Sequence, residues 1–238
     1  MRDWFFRQQV AIDSGSRQSL SRNTLENGLS EQISAFQIDH LMIGAAELAG
    51  GCTWLTEKMG ASASPGGRHP GQGTVNALLG LSQQCYLEVI APDPDLAELA
   101  GLARSLKALS EPLMRTFAVR CSGFDGLIPL LRDNGFDYSR QVMSRQTPKG
   151  EQLSWELLFV EDHPFGLQMP FFIDWQDSVH PCTDLVPSGA LKRLIVRLDH
   201  HLDRYRKFVS DLGLPLRLES GAPGLTADIE TPGGRAQL

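Results

Sequence analysis

A histidine and a glutamate lie within two short apolar segments in the first half of the chain. His40 belongs to Ile-Asp-His-Leu-Met-Ile at 38–43, and Glu88 belongs to Tyr-Leu-Glu-Val-Ile at 86–90. Both segments lack Pro and Gly, which predicts two buried strands. An ionised carboxylate in an apolar strand costs free energy unless it is paired, hydrogen-bonded or bound to a metal. We therefore expect Glu88 to face a partner side chain, and His40 is the leading candidate.

The residues between these two strands predict how the strands are positioned. Apolar residues recur at helical spacing at Leu48, Cys52, Leu55 and Met59. Gly60 is predicted to end this helix as its C′ residue. A Gly-rich loop at 64–73 and a strand from Thr74 to Leu81 follow, so the predicted order is strand, helix, loop, strand, strand.

The same order of elements recurs twice further along the chain. A strand at 115–120 precedes a helix that ends at Gly135, and a strand at 191–198 precedes a helix that ends at Gly213. Together with Gly60, the helix-ending glycines recur every 75 to 78 residues. A supersecondary unit that recurs in this way indicates a repeat architecture. Each of the three glycines is expected to hold a left-handed backbone conformation.

These patterns predict an α+β protein built from three βαβββ modules. The first two modules span 36–92 and 113–176, and a helix at 93–110 joins them, with Asp93 as its N-cap. The third module spans 190–238. It either extends the fold or contacts a second subunit in a homodimer.

Six motifs resemble those of the glyoxalase-like domain of the vicinal-oxygen-chelate superfamily. They are Ile-Asp-His-Leu at 38–41, His-x4-Thr-x-Asn at 69–76, Tyr-Leu-Glu-Val-Ile-Ala-Pro at 86–92, Met-Ser-Arg-x-Thr-Pro-x-Gly at 143–150, Pro-Phe-Phe-Ile-x-Trp at 170–175 and His-Pro at 180–181. The resemblance covers residues 36–182 and implies a mixed sheet curled into an open cup with a small-molecule site inside.

The resemblance also implies that His40 and Glu88 are neighbours on the concave face, at two metal-ligand positions. Imidazole and carboxylate together suit a divalent Zn, Fe, Mn, Ni or Co ion. A catalytic ion needs further ligands, yet the corresponding positions of the other two modules hold Arg115 and Arg193. Three alternatives therefore stay open: a metal site, a metal-free dyad in which Glu88 orients His40 as a base, and a structural pair in the core.

Further candidate site residues follow from the same motifs. His69 is a candidate catalytic residue in the Gly-rich loop, and Asn76 could orient a carbonyl or hydroxyl group of a ligand. Arg145 could clamp a carboxylate. The predicted apolar wall of the substrate site consists of Trp155, Phe171, Phe172 and Trp175. His180 lies in the loop that follows this wall.

Two classes of function fit these residues. The favoured one is an enzyme of glyoxalase, lyase/isomerase or dioxygenase type, in which a metal or a His-Glu base acts on a vicinal-oxygen substrate. The alternative is a binding protein that sequesters a small aromatic or apolar ligand without turnover. A further carboxylate or histidine that converges on His40 and Glu88 would favour the enzyme, whereas an all-aromatic cup would favour the binding protein.

Composition excludes several other classes. The formal net charge of −6 over 238 residues argues against nucleic-acid binding. No apolar run reaches the roughly 18 residues that a membrane span needs. Four scattered cysteines predict reduced thiols and a cytoplasmic protein. Residues 1–35 include a polar Ser-, Arg- and Asn-rich stretch, which predicts a flexible and dispensable extension.

Overall fold

The structure is a computed structural model that describes residues 35–82, 84–147 and 150–238. These residues form an eight-stranded sheet, a four-stranded sheet and four α-helices. The extension predicted at 1–35 lies outside the described residues except for its last position. No helix in the described ranges is long and apolar enough to cross a membrane.

The first module forms one half of the eight-stranded sheet. Its elements are β1 Gln37–Gly44, α1 Leu48–Met59, β2 Ser64–His69, β3 Thr74–Leu81 and β4 Cys85–Pro92. The strand order is β2-β3-β4-β1, and β1 pairs with β4 in parallel. The first and last strands of the module are therefore neighbours, as the family resemblance implied.

The second module forms the other half of this sheet with the same pairing. Its elements are β5 Leu113–Arg120, α3 Leu127–Asp133, β6 Asp137–Gln146, β7 Gln152–Glu161 and β8 Phe171–Asp174, and α2 Gly101–Lys107 precedes them. β5 pairs with β8 in parallel and with β1 antiparallel. The complete order is β2-β3-β4-β1-β5-β8-β7-β6.

The two edge strands of the large sheet approach each other. Arg145 on β6 donates a hydrogen bond from Nη1 to the carbonyl oxygen of Gly66 on β2, at 2.8 Å. A Cβ atom on the neighbouring Gly67 would lie 2.7 Å from the carbonyl oxygen of Gln146. The sheet is therefore curled into a half-barrel, and only glycine permits this close approach of its edges.

The third unit has the predicted order of elements but a different pairing. It consists of β9 Ala190–Leu198, α4 Leu202–Asp211, β10 Leu216–Ser220, β11 Gly224–Thr231 and β12 Gly234–Gln237. Here the first strand pairs in parallel with the second strand rather than with the last, in the order β10-β9-β11-β12. This unit forms a sheet of its own and contributes no strand to the half-barrel.

The main apolar core lies between the convex face of the half-barrel and the helices α1, α3 and α4. Leu41 and Ile43 on β1 point into this core, while His40 and Met42 alternate with them and line the concave face. The third unit packs on the same core, since Tyr205 on α4 is fully buried and donates to the carbonyl oxygen of Gln168 at 2.6 Å.

The helix-ending glycines adopt the predicted conformation. The φ angles are 67° at Gly60, 67° at Gly135 and 65° at Gly213, all in the left-handed region. The same conformation thus ends three helices whose modules differ in strand pairing. It is a local property of the helix ends and does not determine the topology.

The helix predicted at 93–110 is shorter than expected, because Asp93 does not cap it. The observed helix begins at Gly101. The Asp93 carboxylate accepts hydrogen bonds from Arg68 on β2 and from the backbone N–H of Asp95. Since these donors occupy the carboxylate, the chain forms a turn here and enters the helix later.

Candidate active site

The concave face of the half-barrel surrounds a cavity that contains most of the predicted site residues. Its lining includes His40, His69, Asn76, Glu88, Arg145, Trp155 and Trp175. Phe172 does not line it. This residue is fully buried on the opposite face of β8, where its ring lies 6.4 Å from that of Phe208. Phe171, which was also predicted for the wall, lines the cavity.

His40 and Glu88 lie on adjacent parallel strands with their side chains in the same cavity. Glu88 pairs with Met42, two residues along β1 from His40, so both side chains project from one face. His40 Nε2 is 3.5 Å from Glu88 Oε2. This distance fits an ion pair but exceeds the usual length of a hydrogen bond.

Asp39 is a third member of this group, and the sequence analysis did not identify it. The pairing of β1 with β5 skips Asp39, because Ile38 pairs with Val119 and His40 with Ala118. Asp39 is thus the extra residue of a β-bulge, which turns its carboxylate toward the ring of His40. Asp39 Oδ1 lies 2.7 Å from His40 Nδ1, and the Asp39 side chain is fully buried.

The other oxygen of Asp39 accepts hydrogen bonds from the segment that follows β8. Trp175 Nε1 lies 3.1 Å from Asp39 Oδ2, and His180 Nε2 lies 3.0 Å from the same oxygen. The backbone N–H of Cys182 donates to His180 Nδ1 at 3.2 Å. His180 Nδ1 therefore carries no proton, and the proton on Nε2 is donated to Asp39.

These contacts keep Asp39 ionised and determine which nitrogen of a neutral His40 ring carries the proton. Burial alone would raise the pKa of Asp39, but the hydrogen bonds from His180 and His40 outweigh it and hold the pKa well below its usual range. A carboxylate can only accept hydrogen bonds, so Nδ1 of His40 carries the donated proton. In a neutral imidazole, Nε2 then has its lone pair directed toward Glu88 and the cavity.

On the other side of Glu88, an amide and a second histidine fix the carboxylate. Asn76 Nδ2 donates to Glu88 Oε1 at 2.6 Å and lies 3.3 Å from His69 Nε2. Because the amide nitrogen donates, His69 Nε2 accepts, and His69 Nδ1 donates to Thr74 Oγ1 at 2.9 Å. Burial lowers the pKa of His69 and keeps it neutral. His69 thus contacts Asn76 rather than His40.

Aromatic rings surround the histidine on the cavity floor. The ring of Tyr86 is stacked on His40 with centroids 4.6 Å apart, and Phe171 contacts it edge-on at 5.5 Å. Trp155 and Trp175 lie 5.3 Å apart in the wall. Packing on two sides restricts rotation of the imidazole, so the ring stays aligned with Asp39.

The residues of the cavity do not fit a divalent metal ion. His40 and Glu88 are the two predicted ligands, but the described part of the chain contains no group of three His, Cys, Asp or Glu side chains that could hold an ion. One oxygen of Glu88 already accepts from Asn76, and the Arg145 guanidinium lies in the same cavity. A catalytic metal site has at least three protein ligands, so the geometry favours the metal-free alternatives.

Comparison with known proteins places the chain in a family. The model of the glyoxalase-like domain family matches residues 38–212, which is more than half of the chain and extends beyond the predicted limit of 182 into the third unit. The protein therefore belongs to the glyoxalase-like domain family of the vicinal-oxygen-chelate superfamily, and its curled mixed sheet is the α+β fold of that superfamily. No curated protein matches the sequence.

Solved structures share the fold at low sequence identity. A hypothetical protein from Staphylococcus aureus matches with a TM-score of 0.60 and 15% identity, over 79% of this chain and 88% of that chain. Methylmalonyl-CoA epimerase from Mycobacterium tuberculosis matches with a TM-score of 0.45 and 20% identity, over 61% of this chain and 93% of that chain. At these identities the likeness concerns the fold alone.

Proposed function

We propose that this protein is a small-molecule enzyme that removes a proton from a carbon atom next to a carbonyl group, with His40 as the general base. The observation that carries the proposal is the Asp39–His40 pair. A buried carboxylate 2.7 Å from Nδ1 fixes the tautomer in which Nε2 accepts a proton from the cavity.

Each neighbour of His40 has a distinct role in this reaction. Nε2 takes the proton of the substrate C–H bond, and the electron pair of that bond moves toward the carbonyl oxygen to form an enolate. Asp39 then stabilises the imidazolium that forms. Glu88, 3.5 Å from Nε2, adds a second negative charge beside it. Return of the proton to the same or another carbon atom gives exchange or isomerisation.

The arrangement of charges favours an enzyme over a binding protein. From the sequence, both an enzyme and a binding protein were possible. A further carboxylate or histidine that converges on His40 and Glu88 was the feature expected to favour the enzyme. Asp39 supplies that carboxylate, and it is itself bonded to His180. A protein that only sequesters an aromatic ligand has no need for an ionised Asp fully buried behind a histidine, because a buried charge costs free energy.

Proton exchange with solvent tests the proposed reaction without knowledge of the natural substrate. The protein is incubated in D2O with a panel of small ketones, aldehydes and 2-oxo acids, and deuterium incorporation next to the carbonyl is followed by mass spectrometry. We expect incorporation with wild type and a loss of about 100-fold or more in His40→Gln, since general-base catalysis contributes about this factor.

The chain offers a matched control for this experiment. His200 forms the same contact with its neighbour Asp199, with Nδ1 2.7 Å from Oδ1, but both side chains are exposed. His200→Gln should retain full exchange activity. Equal rates in wild type and His40→Gln, or no incorporation from any compound of the panel, would contradict the proposed function.

A further inference from the structure

Among the described residues, Arg145 is a buried cation of the cavity without a salt-bridge partner, although the Glu88 carboxylate lies in the same cavity. Its side chain is 4% exposed, and the partner found among the described residues is an uncharged one, the carbonyl oxygen of Gly66 at 2.8 Å from Nη1. No Asp or Glu oxygen of the described residues lies within salt-bridge distance of it, in contrast to Arg140 on the same strand, which pairs with Glu156 at 2.6 Å. A buried charge is costly unless an opposite charge compensates it.

We propose that Arg145 binds the carboxylate group of the substrate, so that the enzyme acts on small carboxylic acids with an acidic C–H bond. This inference deepens the proposed function and rests on it for the reacting group, His40. A guanidinium has five N–H donors in a planar fork, and the bond to Gly66 uses one nitrogen. The fork suits a bidentate contact with a carboxylate.

The other charges of the cavity favour a monoanion over a dianion such as a phosphate ester. Glu88 lines the cavity, and Asp39 lies behind His40. Both carboxylates already accept hydrogen bonds from protein donors. Among the described residues that line the cavity, Arg145 is the one arginine or lysine. A ligand with two negative charges would therefore meet these carboxylates with one cation to compensate it. A carboxylate brings one charge, which Arg145 matches.

The walls of the cavity define the rest of the ligand. Besides Arg145 and His40, the lining of the cavity consists largely of apolar side chains, including Met143, Trp155, Leu157 and Ile173. Apolar surface of this kind buries an aliphatic or aromatic group. The proposed substrate class is therefore a small monocarboxylic acid with an apolar substituent and a C–H bond directed at His40 Nε2.

Binding of phenylacetate and phenylacetamide tests the charge preference. The two compounds have the same shape and the same apolar ring, but one is an anion and the other is neutral. Titration calorimetry with wild type should give at least ~10-fold tighter binding of phenylacetate, the factor expected for a charge-assisted contact. In Arg145→Gln, which keeps a donor for Gly66, the ratio should fall to about one.

Two further variants test whether the preference for the anion depends on Arg145 itself. Arg140→Gln removes an exposed arginine from the same strand and should keep the preference of wild type. Arg145→Lys keeps the charge but loses the planar fork, and should show a weaker preference. If the Gln variant does not fold, the Nε–H resonance of Arg145 in wild type decides: it should shift on addition of phenylacetate and stay unchanged with phenylacetamide.

Several outcomes would overturn the proposal. They are equal affinity of wild type for the two compounds, no binding of phenylacetate up to its solubility limit, and an undiminished preference in Arg145→Gln. The result is distinguishable from the test of the reaction. Tight binding of phenylacetate without deuterium exchange would refute the role of His40 as a base and support the anion site at Arg145. Deuterium exchange of neutral ketones without a preference for phenylacetate would support the base and refute the anion site.

Discussion

Asp39 and His40 are consecutive residues of one strand, yet their side chains meet, with Asp39 Oδ1 2.7 Å from His40 Nδ1. In a regular strand consecutive side chains point to opposite faces. The bulge in the pairing of β1 with β5 removes this separation. A single irregular residue thus supplies the buried carboxylate that orients the proposed base.

Replacing Asp39 with Asn should lower the free energy of unfolding by about 2 kcal/mol at neutral pH, because charge-assisted hydrogen bonds to a buried group are lost. The pKa of Asp39 is lower in the folded protein than in the unfolded chain. The carboxylate therefore contributes stability above its ordinary pKa of about 4, and the contribution is lost as the pH falls toward the lowered value. Urea denaturation of both proteins at neutral pH and at about pH 3 should show a difference that shrinks at low pH.

The exposed Asp199 provides the control for this variant. It makes a contact of the same length to His200 at the surface, where an ion pair contributes at most about 1 kcal/mol. Asp199→Asn should therefore change the stability little at either pH. Similar losses in the two Asn variants would show that burial of Asp39 is not what makes its contacts stabilising.

His69 should make the stability of the protein depend on pH below neutrality. Burial lowers its pKa in the folded state, so the unfolded chain binds the proton more readily. The contribution of neutral His69 is present above the ordinary pKa of about 6.5 and is lost as the pH falls below it. Calorimetry between about pH 7 and pH 5 should show a smaller fall of Tm in His69→Gln than in wild type. In His200→Gln, where an exposed histidine is removed, the fall should match wild type.

Removal of metal ions should leave the protein unchanged. A catalytic zinc ion needs three protein ligands, and the described residues contain no group of three His, Cys, Asp or Glu side chains placed to hold an ion. Dialysis against a chelator, and addition of Zn or Mn salts, should not shift Tm, because a ligand that binds the folded state would raise it. Elemental analysis of the purified protein is the direct measurement. One equivalent of metal that disappears in both His40→Ala and Glu88→Ala would instead establish the metal site that the family resemblance implied.

Gly66→Ala should disturb the site from outside the cavity. A Cβ atom at this position would lie 2.1 Å from Asn76 Oδ1, so Asn76 has to move away from Glu88. Overpacking of this kind costs about 1–3 kcal/mol, and we expect a matching loss of exchange activity. Thermal unfolding and the D2O assay measure the two effects. Gly50→Ala is the control, since open space surrounds that position in α1; a loss of stability there as large as at Gly66 would contradict the steric explanation.

The sequence predicted those parts of the fold that depend on local patterns. The apolar segments around His40 and Glu88 and the helix that ends at Gly60 agree with the structure, and they follow from hydrophobic periodicity and from the backbone freedom of glycine. The pairing of the first and last strands also agrees with the structure, but it was implied by the family resemblance. These features predicted where the site lies in the fold, but they did not predict all of its residues.

The parts that were missed depend on tertiary contacts. Asp39 was not predicted as a site residue, because strand alternation places it on the face opposite to His40. The sequence contains no residue type that indicates the bulge. Phe171 and Phe172 were both assigned to the wall, but consecutive residues of a strand point to opposite faces, and of the two it is Phe171 that lines the cavity. Asp93 is a good helix N-cap by type, but Arg68 from a distant strand engages its carboxylate.

The close approach of β2 and β6 bears on how the protein avoids self-association. An open sheet has two edges with unpaired backbone groups, and these edges are sites of aggregation unless something covers them. In this half-barrel the two edges meet where β6 ends, with Arg145 hydrogen-bonded to Gly66 and Gly67 packed against Gln146. A substitution that pushes the edges apart would leave both strands open to pairing with other chains, so its first visible consequence would be a loss of solubility.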